Sequence, residues 1–135
     1  MGTSRYHPRM IHVVLPIVVA AVIPFSLSLA AKVGRFSRRD NHAQREWQAQ
    51  LEGWRKRAYW AQANALETLP LFIGAVICAH LGHPGGTVPA AFAWSYPALR
   101  IAYTACYLAD VARPRTVVWM LSMVAILALY IGAIT

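Results

Sequence analysis

Four long apolar stretches separated by short polar ones dominate the chain, at residues 10–31, 58–81, 88–109 and 117–134. Each approaches or exceeds about 18 residues, and a helix rising ~1.5 Å per residue needs about 20 to cross a hydrocarbon core. None alternates strictly between apolar and polar positions, so the stretches predict helices rather than barrel strands. Pro16, Pro24, Pro70, Pro89 and Pro97 fall inside them, which membrane helices tolerate because neighbouring groups satisfy the freed carbonyls. The pattern predicts an all-α fold, a single membrane domain over residues 1–135 in which four helices form an up-down bundle.

Composition strengthens this reading. Apolar residues make up 58% of the chain and charged residues only 13%, against roughly 25% charged in an average soluble domain. A chain of 135 residues with so few polar groups cannot cover its own surface, a demand that weighs most on small proteins. Lipid is therefore the expected solvent. The first stretch, preceded by Arg5 and Arg9 and ending near Ser28 and Ala30, has the outline of a signal peptide. It exceeds the 7–15 residues usual for a signal core, however, so a retained helix is expected.

Charge orients the helices. The connection 32–57 carries Lys32, Arg35, Arg38, Arg39, Arg45, Arg55, Lys56 and Arg57 against Asp40, Glu46 and Glu52. The second connection, 82–87, has neither lysine nor arginine, and the third has Arg113 and Arg115. By the positive-inside rule the first and third connections face the cytoplasm and both termini lie outside. The net charge of +8 is thus a topology signal, and no nucleic-acid partner is expected, because the basic residues flank lipid-spanning helices. Within residues 42–57, Trp47, Leu51 and Trp54 at i, i+4 and i+7 predict an amphipathic stripe, either an interfacial helix or an extension of the second span. Cys78 and Cys106 lie near opposite ends of the helices, too far apart for a disulfide, and no metal is expected.

Polar residues inside the spans carry the functional signal, because placing them there is costly. Glu67 lies ten residues beyond Arg57, and Arg100 ten before Asp110, which puts both about 15 Å from the basic end. An acid and a base at one depth are expected to pair. Arg57, Asn64, Glu67 and Leu71 share one helix face, and Arg100, Tyr103, Tyr107 and Asp110 another. Two polar faces must turn inward, toward each other or toward another subunit.

The run RAYWAQANALETLPLF, residues 57–72, resembles the signature of the MAPEG family, the membrane-associated proteins of eicosanoid and glutathione metabolism; the shared core is Ala61, Gln62, Asn64, Glu67, Pro70 and Phe72. The run RIAYTACYLADVARPRT, residues 100–116, is similar to the family's third-helix signature, and NHAQREWQAQLEGWRKR, residues 41–57, resembles the loop of bacterial members. The resemblance implies a homotrimer of four-helix bundles in the bacterial inner membrane, with glutathione as co-substrate between adjacent subunits near the cytoplasmic face. It further implies that Asn64 and Glu67 contact the glutathione backbone, joined by Gln62 or its copy on the neighbouring subunit, that Arg100, Tyr103 and Tyr107 belong to the same pocket, and that Lys32 or Arg35 stands where first-helix arginines of the family lie. Arg115 matches the arginine that stabilises the glutathione thiolate, with the Thr116 hydroxyl beside it. Elementary chemistry agrees, since guanidinium forks bind carboxylates well and a thiol needs a nearby cation to ionise at neutral pH.

Two departures stand out. Trp60 occupies the position where leukotriene C synthases carry an arginine, and Thr68 the position of an aromatic residue; Arg57, one turn earlier, is a candidate for the missing charge. The function expected by resemblance is a glutathione-dependent transferase or peroxidase acting on lipophilic electrophiles that enter from the bilayer. A non-enzymatic lipid-binding or scaffolding protein of the same fold is the alternative. A small multidrug-type exporter built around Glu67 is a third, disfavoured because the asparagine, glutamine and arginine neighbours suit an anion better.

Overall fold

The computed structural model describes residues 7–82 and 90–134, all of whose regular structure is helical: α1 (His7–Lys32), α2 (Gln44–Ala49), α3 (Gly53–Gly82), α4 (Ala90–Leu108) and α5 (Ala112–Gly132). Residues 83–89, with the expected start of the third span at Val88, lie outside the described residues. The long helices pack α1 against α3 and α4, α5 against α4 and α3, and α3 against α4. Their contacts are rich in alanine: Ala20, Ala31, Ala58, Ala61, Ala65, Ala75, Ala79, Ala93 and Ala125 are all buried. Small residues let helix backbones approach closely where lipid supplies no hydrophobic drive for association.

Large apolar side chains point the other way. Val18, Val22, Phe25 and Leu29 on α1, Leu71 and Ile77 on α3, and Met120, Val124 and Leu127 on α5 are exposed. Such an apolar coat suits hydrocarbon and not water. Among the described residues three helices, Ile11–Lys32, Gly53–Gly82 and Ala112–Gly132, are by length and composition able to cross a membrane. The fourth expected span, α4, is absent from that set. It carries Arg100, Tyr96, Tyr103 and Tyr107, and it buries the first three at 1%, 1% and 5% exposure. Its outer positions, Phe92, Ala98, Ile101, Ala102 and Ala105, are apolar and exposed, so its polarity is directed inward.

Two of the helices extend beyond the apolar runs. α3 begins at Gly53 rather than at residue 58, and α5 at Ala112 rather than at 117, because the helical backbone continues past the apolar run into charged residues that lipid headgroups and water solvate. The Trp47–Leu51–Trp54 stripe is not one helix. α2 ends at Ala49, and Gly53 takes the left-handed conformation, φ +56°, that opens α3; this conformation is open to glycine without steric cost. Trp47 instead packs edge-on against Phe36 at 5.0 Å, Leu51 is buried and Trp54 is exposed. Ser37 donates its hydroxyl and its backbone N–H to Asp40 Oδ2, at 2.7 and 2.8 Å, and these bonds hold the Asp40 carboxyl below the usual carboxylate range.

Arginines tie the basic end together. Arg55 donates from Nε to the Ala31 carbonyl at 3.2 Å and from Nη2 to the Val33 carbonyl at 2.8 Å, closing the end of α1 onto the start of α3. At the end of α4, the Val111 N–H bonds the Cys106 carbonyl and the Asp110 N–H the Tyr107 carbonyl, with Asp110 left-handed at φ 62°. That is the Schellman pattern, in which glycine is usual and asparagine or aspartate an occasional substitute. Arg57 secures it by donating to the Leu108 carbonyl at 3.2 Å and pairing with Asp110 at 3.7 Å.

Candidate functional site

The site grows from the inward face of α4. Residues four, three and four apart on a helix stack along one side, and Tyr96, Arg100, Tyr103 and Tyr107 follow that spacing. Tyr96 lies flat on Phe72 of α3, with ring centroids 4.1 Å apart, and shares a 2.8 Å hydrogen bond with Thr68. The Thr68 hydroxyl also lies within hydrogen-bond distance of the carbonyls of Asn64 and Ala65. Above this layer Arg100, 1% exposed, donates from Nη2 to Asn64 Oδ1 at 2.8 Å. Its guanidinium lies over the Tyr103 ring at 4.3 Å, Tyr103 meets Tyr107 edge-on at 5.5 Å, and the Arg115 guanidinium of α5 lies over Tyr107 at 4.5 Å. The result is a column, guanidinium–ring–ring–guanidinium, that runs from the interior toward the basic end. Such stacking orients each cation and leaves its N–H edges free.

Two features, one in the column and one beside it on α3, call for a ligand or another chain. Arg100 Nε and Nη1 are buried without a hydrogen-bond partner, as is Gln62 Oε1, and buried groups of this kind are costly to leave unpaired. Glu67 is exposed on α3 although it lies well inside a membrane-capable helix.

The expected ion pair between Glu67 and Arg100 is not formed in the chain. Asn64, one helical turn before Glu67, faces α4 and accepts the guanidinium's hydrogen bond, while Glu67 stands off that contact on the exposed side. Of the expected site residues, the fold gathers Asn64, Arg100, Tyr103, Tyr107 and Arg115 into one column, with Gln62 on α3 offering a buried free oxygen. Arg57 is occupied at the α4 terminus, Lys32 lies 4.7 Å over Phe36, and Arg35 is exposed in the turn after α1. The Thr116 hydroxyl donates to the Ala112 carbonyl at 3.2 Å. Tyr96 was missed by sequence reasoning, although it lies four residues before Arg100; Thr68 was noted only as a departure from the family signature, and its bond to Tyr96 needed the structure. Among the described residues no group of three or more histidine, cysteine, aspartate or glutamate side chains is placed to hold a metal ion.

Apolar helices that turn a polar, cation-bearing column inward define an integral membrane protein with a buried polar site. The model of the MAPEG family matches residues 10–135, and the chain belongs to that family. No curated protein and no solved structure matches it.

Proposed function

We propose that the chain is a glutathione-dependent transferase or peroxidase for lipophilic electrophiles, working as a homotrimer of four-helix bundles in the bacterial inner membrane with its basic end in the cytoplasm. The observation that carries this reading is the column itself, a buried guanidinium with two unpartnered nitrogens at one end and a stacked, accessible guanidinium at the other. Glutathione has carboxylates for the first, amide and ammonium N–H groups for Gln62 Oε1, and a thiol for Arg115. Family membership favours the same ligand.

In the proposed chemistry Arg115 stabilises the thiolate and the thiol proton passes to solvent. The sulfur lone pair then forms a C–S bond to the electrophilic carbon, and the displaced electron pair leaves on the substrate atom that had held it, to be protonated from water. The electrophile arrives through the apolar coat, where a lipophilic molecule partitions. Calorimetric titration of the purified protein with glutathione should show saturable binding, and Arg100→Leu should weaken it by about ten- to a hundredfold, the value of one charge-assisted hydrogen bond pair. Absence of binding would transfer the reading to a non-enzymatic lipid-binding protein.

Assembly follows from Glu67. An exposed carboxylate inside a span cannot remain charged against lipid, so another copy is proposed to cover the Glu67 face of α3 and to close the site. Native mass spectrometry from mild detergent should show trimers, and a spectrum of monomers alone would remove this part of the reading.

A further inference from the structure

At the basic end of the molecule α2 stands off the start of α3 and leaves an open groove of about 570 Å³. Asn41, His42, Arg45, Glu46, Gln48 and Tyr59 line it. None of these residues takes part in the Arg100–Arg115 column, and the lining is too polar for an acyl chain or an apolar substrate. Its volume is in the range of small-ligand sites.

Charge and position indicate the occupant. Arg45 is exposed and makes no ion pair; among the described residues the recorded pair is Arg57 with Asp110. Arg35, Arg38 and Arg39 are exposed on the same connection, and the Asp40 carboxylate there is already engaged by Ser37. Within the groove Arg45 and Glu46 offset one another, while the connection that builds it is net basic, with eight lysines and arginines against Asp40, Glu46 and Glu52. One wall is Tyr59, which stands near the start of the membrane-capable α3. Trp54, exposed there with the Arg55 guanidinium 4.8 Å over its ring, marks the headgroup level that tryptophan prefers. At that level the abundant anion is a lipid phosphodiester.

We propose that the groove is a headgroup site for an anionic phospholipid of the phosphatidylglycerol type. Arg45 holds the phosphodiester as a guanidinium fork does, with His42 beside it. Asn41, Gln48, Tyr59 and the Glu46 carboxylate hydrogen-bond the glycerol hydroxyls. A zwitterionic choline headgroup fits worse, since its cation has no hydroxyl to donate and faces the arginine field.

The test is lipid retention in native mass spectrometry of the full chain, titrated separately with phosphatidylglycerol and phosphatidylcholine in mild detergent. Phosphatidylglycerol adducts are expected to exceed phosphatidylcholine adducts by about fivefold or more, the factor for one interfacial cation. Arg45→Gln and Tyr59→Phe, read separately, should each reduce that preference, while Arg113→Gln, a basic residue outside the groove, should preserve it. Melting in detergent identifies any variant that fails to fold, and the other then decides. Glycerophosphoglycerol, the same headgroup without acyl chains, separates the sources: binding as tight as the lipid's would show a soluble ligand and overturn the lipid assignment. Equal retention of the two lipids, or a preference unmoved in a folded groove variant, also overturns it. Glutathione titration is independent of this outcome.

Discussion

Arg115→Leu is expected to abolish the ultraviolet thiolate absorbance that glutathione develops on the wild-type protein at neutral pH, while glutathione still binds. A free thiol of pKa about 8.5 is only a few per cent ionised near neutrality, and a fixed neighbouring cation lowers that pKa by one to several units. Arg115 is equipped for this role. Its guanidinium lies 4.5 Å over the Tyr107 ring and makes no ion pair among the described residues, so its charge is not already neutralised. Arg57, the other inward arginine at this end, is engaged with Leu108 and Asp110. Loss of the cation should reduce the thiolate fraction at neutral pH from a majority to a few per cent, a fall of about tenfold or more. Turnover of a lipophilic electrophile should fall in proportion, with glutathione affinity changed little because Asn64, Arg100 and the α3 face are intact. Wild-type protein that binds glutathione without ionising it would sink the transferase reading. A thiolate signal that survives in Arg115→Leu would transfer the role to another cation.

The largest effect on stability is expected from Asn64→Leu. Arg100 is 1% exposed and has one side-chain hydrogen bond, to Asn64 at 2.8 Å; its Nε and Nη1 have none in the chain. Removing the Asn64 oxygen leaves a buried guanidinium stacked on Tyr103 with no hydrogen-bond partner in its own chain. One-sided loss of a partner to a buried charge costs about 3–5 kcal/mol in soluble proteins, and a hydrogen bond to a charged group is worth ~1.5–3. A loss of about 2–4 kcal/mol is therefore expected, read as a lowered melting temperature in detergent. Asn64→Leu with Arg100→Leu should recover part of it, because the uncompensated charge is gone. Glu67→Gln should cost less, since Glu67 is exposed in the chain. If Asn64→Leu melts like wild type, Arg100 is satisfied from outside the chain, and the Glu67 face of a second copy becomes the first place to look.

Much of this architecture could be read along the chain. Runs of about 20 apolar residues announce membrane helices because the hydrocarbon thickness sets their length. The inward face of α4 was legible as Arg100, Tyr103 and Tyr107, since a 3.6-residue period assigns faces without any neighbour in view. The same period put Asn64 on the polar face of α3, motif similarity gave Arg115 its role, and the fold places both in the column.

What a chain does not encode locally is which residue wins a shared partner. Asn64 and Glu67 lie three apart on α3, and sequence spacing admits either as the group that meets Arg100. The rotation of α3 against α4, set by packing such as that of Phe72 on Tyr96, gives the contact to Asn64 and leaves Glu67 exposed. The same holds for Arg57: its period puts it on the face of Asn64, yet the left-handed Asp110 turn and the open Leu108 carbonyl capture it. The amphipathic stripe through Trp47, Leu51 and Trp54 broke because α2 stops at Ala49 and a left-handed Gly53 opens the next helix, an event that periodicity does not register. Hydrophobicity and period act through each residue's own solvation and so are written in the sequence. Partner choice depends on distances of a few ångströms between helices, and those exist only after the helices have packed.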